Sequence, residues 1–397
     1  MAAAAPRSRI SVLIPAYNAR ACVGACLDSV LSQAGVELQV VAVDDASDDG
    51  TAELLDARAA ADPRLTVVHR AHNGGDGPTR CDGLAICDGD WLLCVDADDE
   101  LEPGCLTQLA EAVAATDADI LAFRYAELDV TTGAVTPMPS AFERGGFPRA
   151  GFCPADYPDN LYGAFYATLW DKLFRLSFIR EHALDFQPLP RVGDVLFTLM
   201  ALSQARRIEL VDVQAYRYRI NQRMSLTATG DRYPTAFYQA ACALREGLGT
   251  AGLWLTFKVG YLNWLTENVN FNLANMTTYA GFKALYDVLH DGGLRHLGLD
   301  ELSRERAVRP DLFDYCRNLQ DWEERDFLFS CLKSQTRDAE AARHLRDAAA
   351  RRLSDAQRAE GRLLAELRTL YGSLSFRMGR ALTWLPRTLR DAVRRRC

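Results

Sequence analysis

The sequence predicts an α/β protein in which a mostly parallel sheet is flanked by helices and is followed by a helical C-terminal region. Short apolar runs alternate with segments of helical spacing over the first hundred residues, which is typical of a parallel sheet covered by helices. Polar clusters follow three of these runs. Between residues 234 and 332 apolar side chains recur at helical spacing, so this later part is predicted to be mainly helical.

Each predicted element has a local signal. A strand is predicted where a short apolar run is stopped by a turn signal. A helix is predicted where apolar residues recur every three or four positions, or where an Asp-Gly-Thr sequence provides a start signal. In chain order, the predicted strands are Ile10–Pro15, Leu38–Val43, Leu65–His69 and Trp91–Val95, and the predicted helices are Ala19–Gln33, one ending near Ala61 and one ending near Cys87.

The composition is ordinary for a globular protein and excludes some classes. The 397 residues suffice for two or three domains. The net charge of −8 argues against nucleic acid as a main partner. No apolar run is long enough to span a bilayer, and residues 1–9 lack the apolar centre of a secretory signal. The 11 cysteines form no paired Cys-x-x-Cys frame, so we expect reduced thiols in a cytoplasmic protein.

Acidic residues collect where predicted strands end, and ligands bind beyond the carboxyl ends of such strands. Asp96 and Asp98 stand two residues apart, so on an extended chain both would face one site while Asp99 points elsewhere. Paired carboxylates suit a hard cation, which a diphosphate requires beside it. A solvated acidic turn is the alternative interpretation. The three polar clusters are Pro15–Asn18, Asp44–Ser47 and Asp96–Asp99.

These clusters, in this order, resemble the family 2 glycosyltransferases of bacteria, which have the GT-A fold. The resemblance covers about residues 8 to 228. It implies a GT-A domain over 8–228, a helical domain over 229–333, and a long helix or coiled coil with a basic amphipathic tail over 334–397. The segments that carry the resemblance are Ser11–Asn18, Val43–Thr51, Asn73–Arg80, Asp96–Asp99, Trp170–Phe174, Val192–Phe197, Tyr216–Arg219 and Ser225–Thr227.

The resemblance implies a site for the nucleotide at the first two clusters. The backbone at Pro15 and Ala16 and the ring of Tyr17 would hold the base. Asp45 would accept a hydrogen bond from the uracil ring, and Asp44 would support it near the ribose. An ordinary strand-ending turn, and a role of the acid pair in capping the next helix, are the alternatives.

The resemblance also implies the groups at the diphosphate. Arg80 matches an arginine that contacts the nucleotide, although Cys81 follows it where Asn is common. Asp98 would ligate Mg²⁺ or Mn²⁺, and Asp96 would lie by the ribose and the ion. A plain surface arginine is the alternative for Arg80.

Asp194 is the candidate general base of an inverting transfer, which needs a carboxylate beside the acceptor hydroxyl. A helix N-cap is the alternative, and Gly193 replaces a Glu that is frequent in the family. Trp170 and Lys172 are expected either to line the acceptor cleft, or to be a core residue and a solvated lysine, respectively. His69, His72 and His182 have no spacing that suggests a metal site or a triad.

The sequence is therefore predicted to encode an inverting, metal-dependent glycosyltransferase that moves a sugar from a nucleotide-diphosphate donor, most simply a UDP-sugar, to a hydroxyl of a glycan or lipid-linked glycan. The basic tail at 375–397 predicts either peripheral contact with the inner face of the cell membrane or docking on protein, including a second copy. A non-catalytic nucleotide-sugar-binding module in a glycan-assembly complex is the second hypothesis, and a phospho-receiver-like domain is a third.

Overall fold

The structure, a computed structural model, describes residues 8–221 and 230–334, together with residues 358, 361, 362 and 365. Ser225–Thr227 and almost all of the predicted long helix and basic tail at 334–397 lie outside the described residues. The predicted membrane or protein contact of that tail therefore stays a prediction.

Nine strands are described, and they share one sheet. They are β1 (Arg9–Ala16), β2 (Glu37–Asp44), β3 (Leu65–His69), β4 (Trp91–Cys94), β5 (Glu100–Leu101), β6 (Ile120–Asp129), β7 (Val135–Pro137), β8 (Lys172–Arg175) and β9 (Ile208–Ile220).

Thirteen α-helices flank and follow the sheet in the described residues. They are α1 (Val23–Leu31), α2 (Thr51–Ala61), α3 (Asp76–Leu84), α4 (Cys105–Ala114), α5 (Ala141–Gly145), α6 (Leu161–Phe165), α7 (Leu176–Glu181), α8 (Asp194–Gln204), α9 (Ala236–Thr250), α10 (Trp254–Ala274), α11 (Tyr279–Val288), α12 (Leu294–His296) and α13 (Pro310–Asp321). Residues 324–334 are also helical.

The strand order is β3-β2-β1-β4-β8-β6-β9-β5, and β7 pairs with the outer part of β6. Strands β3, β2, β1 and β4 run parallel, as the alternation of strand and helix signals predicts. Strand β8 enters antiparallel between β4 and β6, and β5 is antiparallel to β9. The α/β class is therefore confirmed, with parallel pairing confined to the first half and to the β6–β9 pair.

The parallel half is buried on both faces. In β1, Val12, Leu13 and Ile14 have no exposed surface, and Val40 and Val41 of β2 are equally buried. Strands covered on both sides need apolar residues at consecutive positions, which is why these runs do not alternate with polar residues. This packing gives a rigid edge for the polar loops that follow the strands.

The described residues up to Trp322 form one compact unit, and a second begins at Glu323. The predicted boundary at residue 228 falls inside the first unit. Among the described residues, no helix has both the length and the hydropathy that a bilayer-spanning segment needs.

Candidate active site

Register places the ends of three neighbouring strands side by side. Ala16 of β1 lies opposite Asp44 of β2, and Leu13 lies opposite Cys94 at the end of β4. The backbone N–H of Asp45 donates to the carbonyl of Ala16 at 2.9 Å. The polar segments after these strands therefore begin at one edge of the sheet, as the sequence predicts.

Asp45 is buried and holds the loop that precedes α3. Its carboxylate accepts hydrogen bonds from the backbone N–H of Gly74 at 2.9 Å and of Gly75 at 2.7 Å, and from Arg70 Nη1 at 2.6 Å. The N–H of Gly74 also lies 3.2 Å from the second carboxylate oxygen, so each oxygen of Asp45 accepts two contacts from this loop. Helix capping is not its role in this structure.

The other residues predicted to hold the base lie beside this loop. Asp44 is buried and accepts from the backbone N–H of Ser47 at 3.3 Å, while its other oxygen lies 3.3 Å from His69 Nδ1. Ala16 is buried and Pro15 is half-buried. Tyr17 is 50 % exposed, so its ring is available to an aromatic base.

Asp96, Asp98 and Asp99 converge because the chain turns immediately after β4. Asp99 N donates to the carbonyl of Asp96 at 3.0 Å, and one carboxylate oxygen from each acid lies within 4.8 Å of the others. The prediction that Asp99 points elsewhere assumed extended backbone and is wrong, since alternation does not hold in a turn. The three carboxylate oxygens are therefore close enough together to be candidate ligands of one hard cation.

The three acids have different surroundings. Asp96 and Asp98 are partly exposed, whereas Asp99 is buried. Asp99 accepts from the hydroxyl of Tyr216 at 2.8 Å and from the backbone N–H of Arg219 at 2.7 Å. Burial, followed by the charges of Asp96 and Asp98, raises the pKa of Asp99 to about 9. Asp96 and Asp98 are therefore the better candidates for cation ligands, and the hydrogen bonds of Asp99 connect their turn to β9.

Arg80 crosses the site from α3. Its Nε lies 2.9 Å from Asp76 and its Nη2 lies 2.7 Å from Asp96. Burial opposes its charge, but Asp76 and Asp96 raise the pKa of Arg80 overall. Arg80 is 5 % exposed, and its Nη1 is buried with no hydrogen-bond partner in the described structure. A guanidinium N–H left in this state is a ready donor for an anionic ligand.

Asp76 is a site residue that the sequence analysis missed. It is the first residue of α3 and stands four positions before Arg80. That spacing allows an ion pair along one helix face, and an acid in the first turn also suits the helix dipole. The spacing was the available signal, but it is too common on surface helices to single out this pair.

Asp194 begins α8, with Gly193 at the cap position and no side-chain cap hydrogen bond. The capping alternative is therefore not what the structure shows. The charges of Asp76, Arg80 and Asp96 act on its carboxyl, so the candidate base interacts electrostatically with the same charged group of residues. Burial, followed by the charge of Asp76, raises the pKa of Asp194 to about 7. A carboxyl with this pKa can exchange a proton near neutral pH.

The loop that carries Asp194 rests on the start of α3. Gly77 N donates to the carbonyl of Leu189 at 3.1 Å, and Gln187 N donates to the carbonyl of Gly193 at 3.0 Å. A Cβ on Gly193 would lie 2.6 Å from the Cα of Gly77 and 2.7 Å from the carbonyl oxygen of Gln187. Position 193 therefore has no room for a side chain, which explains the departure from the Glu of the family pattern.

Both interpretations of Lys172 are wrong. Its side chain is fully buried, and its ammonium donates to Asp171 at 2.6 Å and to the backbone carbonyl of Thr168 at 2.7 Å. The preceding charge on Asp171 makes this burial possible. Lys172 is thus a structural ion-pair residue rather than a phosphate ligand or a solvated side chain.

Trp170 is half-buried and packs against the sheet core. Its ring stacks on Tyr216 at 4.8 Å and on Tyr218 at 5.4 Å, and it meets the edge of Tyr125. Tyr216 also holds the acidic turn through Asp99. The aromatic stack therefore supports the cation ligands from behind, and contact with an acceptor stays a prediction.

The first part of the chain matches a known protein family. Residues 11–155 match the model of Glycosyl transferase family 2. The chain carries a family 2 glycosyltransferase domain. The matched range contains all of the predicted nucleotide and cation residues, from Pro15 to Asp98.

Curated relatives of this glycosyltransferase agree. EpsH of Bacillus subtilis, which is named as a glycosyltransferase, is 28 % identical over 240 residues, covering 60 % of this chain and 67 % of EpsH. The poly(ribitol-phosphate) beta-glucosyltransferase of Bacillus spizizenii is 26 % identical over 238 residues, covering 58 % of this chain and 35 % of the relative. The chain is thus a glycosyltransferase, as the sequence predicts.

Solved structures confirm the fold of this glycosyltransferase. The structure of S. aureus TarS 1–349 superposes with a TM-score of 0.58 at 19 % identity, covering 79 % of this chain and 88 % of TarS 1–349. TarS 1–349 is also known in complex with UDP, with a TM-score of 0.57 at 20 % identity and the same coverage of both chains. The predicted GT-A fold is therefore confirmed.

Proposed function

We propose that this glycosyltransferase catalyses an inverting, metal-dependent transfer of a sugar from a UDP-sugar to a hydroxyl of a glycan or lipid-linked glycan. The observation that carries the proposal is the shared charged centre, in which Arg80 joins Asp76 to Asp96 while Asp194 lies within electrostatic reach of all three. The complex of TarS 1–349 with UDP supports the choice of nucleotide.

The donor half of the site has groups for each part of a UDP-sugar. Asp45 would accept from the uracil ring N–H in place of the longer of its two contacts with the Gly74 N–H, and Tyr17 offers an exposed ring. Asp96 and Asp98 would hold Mg²⁺ or Mn²⁺. Such an ion supplies positive charge where the diphosphate leaves. The unpartnered Nη1 of Arg80 would donate to a diphosphate oxygen.

Asp194 would act on the acceptor. Its carboxylate accepts the proton of the acceptor hydroxyl as the oxygen attacks the anomeric carbon, and the bond from that carbon to the diphosphate breaks. One displacement inverts the anomeric configuration, and no protein nucleophile is required. The close packing of Gly193 on Gly77 would position Asp194 beside the residues that bind the donor.

A donor screen tests this proposal. The protein is incubated with individual UDP-sugars and Mn²⁺, and released UDP is measured with and without a bacterial glycan extract. We expect release from at least one donor, its loss with EDTA, and its loss in Asp98→Asn. Asp117→Asn is the matched control because Asp117 is exposed and remote from the described site. Release that persists equally in Asp98→Asn and in EDTA would refute metal-dependent transfer.

A further inference from the structure

Arg191 is a buried cation with no salt bridge among the residues that the structure describes, although the charge of Asp194 acts on it. It is 6 % exposed, and its described hydrogen bond runs from Nη1 to the side-chain oxygen of Asn272 at 3.2 Å. The other two buried cations of the described ranges behave differently, since Arg80 pairs with Asp76 and Asp96, and Lys172 pairs with Asp171.

An arrangement of this kind is unfavourable without a ligand. A buried charge loses its hydration, and here one neutral amide oxygen and the charge of Asp194 offset that loss only in part. Burial accordingly lowers the pKa of Arg191. A guanidinium has five N–H donors, so most of the hydrogen-bonding capacity of Arg191 is not used by Asn272. An anion at this position would satisfy both the charge and the donors.

The surroundings of Arg191 distinguish it from the donor side of the site. Arg80 interacts electrostatically with Asp76, Asp96 and Asp194, whereas the described interaction of Arg191 is with Asp194 alone. Arg191 lies three residues before Asp194, and its partner Asn272 belongs to α10, outside the nucleotide-binding half. Asp194 is therefore flanked by one arginine tied to the cation ligands and another tied to the helical region.

We propose that Arg191 forms an anion subsite that binds a phosphate or carboxylate group of the acceptor. This inference rests on the proposed function, because it takes Asp194 as the base that meets the acceptor hydroxyl. In an inverting transfer the acceptor approaches Asp194 from the side opposite the diphosphate, and Arg191 borders Asp194 without contacting the cation ligands. Asn272 orients the planar guanidinium, which matches the two oxygens of a carboxylate or phosphate.

Calorimetric titration with small acceptor mimics tests the subsite. Glycerol 3-phosphate, glucuronate and uncharged glycerol are titrated separately, in EDTA so that no cation holds the anion at Asp96 and Asp98. We expect one of the two anions to bind and glycerol not to bind. Preference for glycerol 3-phosphate would assign a phosphate-bearing acceptor, and preference for glucuronate a uronic-acid acceptor.

Variants of Arg191 provide the decisive comparison. Arg191→Met should weaken binding of the preferred anion about tenfold or more, and Arg191→Lys should weaken it less because a charge without the planar fork remains. Arg325→Met removes an equal charge from a side chain that is 90 % exposed, so it is the matched control and should bind like the wild type. Equal anion binding by wild type and Arg191→Met, or none by the wild type, would overturn the proposal.

Thermal melting separates this role from a structural one. If Arg191 awaits an anion, Arg191→Met should melt at or above the wild-type temperature, and the preferred anion should raise the melting temperature of the wild type only. A structural role would instead lower the melting temperature of Arg191→Met with no effect of the anion on the wild type. If Arg191→Met does not fold, Arg191→Lys still reports loss of anion affinity.

UDP binding is measured separately, to test whether Arg191 belongs to the acceptor side rather than to the donor site. Binding of UDP with Mn²⁺ should be the same in wild type and Arg191→Met. A large loss of UDP affinity in Arg191→Met would assign Arg191 to the donor and overturn the subsite. Failure of the wild type to bind UDP would instead refute the proposed function.

Discussion

Asp194 combines a raised pKa with a position beside the cation ligands, so the pH dependence of the reaction should report it. Its pKa is raised to about 7, and the carboxyl is protonated below that value and cannot accept the hydroxyl proton. We therefore expect kcat/KM to fall as the pH is lowered through about 7. Asp76→Asn removes a negative neighbour and so lowers the Asp194 pKa. The fall in kcat/KM should therefore occur at lower pH in this variant. If kcat/KM of Asp76→Asn falls at the same pH as that of the wild type, the assignment of this pH dependence to Asp194 is wrong.

Replacing the candidate base separates chemistry from binding. Asp194→Asn keeps the size of the side chain but cannot accept a proton, so turnover should fall by about 10²- to 10⁴-fold while UDP affinity is retained. Steady-state kinetics and UDP titration on one preparation measure both. Near-normal turnover of Asp194→Asn would show that another group takes the proton.

Asp171 illustrates what a single buried charge does for stability. Asp171→Asn would leave the fully buried Lys172 without its counter-charge, which should lower the free energy of unfolding by about 3 kcal/mol. Urea denaturation measures the change. Asp62→Asn is the control, since its partner Arg64 is partly exposed and such pairs contribute about 1 kcal/mol or less. Equal effects of the two substitutions would contradict the importance of burial.

For single residues, the sequence predicted correctly that Asp96 and Asp98 lie together, and their role as cation ligands stays a prediction. Asp96 and Asp98 could be found because carboxylates follow an apolar run. The position of Asp99 could not be predicted, because side chains do not alternate between two sides in a turn as they do in a strand. The role of Lys172 could not be predicted either, because the sequence does not show that Lys172 and its partner Asp171 are both buried.

Between elements, the contact of the Asp194 loop with α3 depends on glycine. A Cβ at Gly193 would lie 2.6 Å from the Cα of Gly77, so Gly193→Ala must move one backbone segment and displace Asp194. We expect kcat to fall on the order of tenfold or more with UDP affinity little changed, since misplacement of a catalytic group slows the chemical step. Gly163→Ala is the matched control, because its Cβ would meet nothing within 4 Å. Wild-type kcat in Gly193→Ala would refute this positioning role.

The elements themselves were predictable to different degrees. Strands β1 to β4 carry continuous apolar runs and alternate with helices, so their parallel pairing follows from the pattern. Strand β8 has four residues and pairs with β4 and β6, both distant in sequence. No local signal specifies such a pairing, so the antiparallel half of the sheet could not be predicted.

For the whole molecule, every predicted site residue lies in the unit that ends at Trp322. A chain truncated after residue 322 should therefore still bind UDP with Mn²⁺ at wild-type affinity. Circular dichroism would verify folding, and titration would measure affinity. A folded truncation that does not bind UDP would show that the second unit completes the donor site.

The hypothesis of a non-catalytic module drew on the replacement of Glu by Gly193, and the close packing on Gly77 gives that replacement a structural reason. The phospho-receiver hypothesis fails because the acids after β2 and β4 belong to a glycosyltransferase domain. Family and fold could be predicted because four motifs occur in the expected order over about 100 residues. They are Ser11–Asn18, Val43–Thr51, Asn73–Arg80 and Asp96–Asp99.

The most direct test of a diphosphate site built from acids and a divalent ion is a calorimetric titration of UDP. Wild type, Asp98→Asn and Asp194→Asn are each titrated with Mn²⁺ and with EDTA. We predict that UDP binds the wild type and Asp194→Asn only when Mn²⁺ is present, and that Asp98→Asn does not bind it. Binding of UDP to Asp98→Asn at wild-type affinity, or to the wild type in EDTA with undiminished affinity, would contradict a site in which acids and a divalent ion hold the diphosphate.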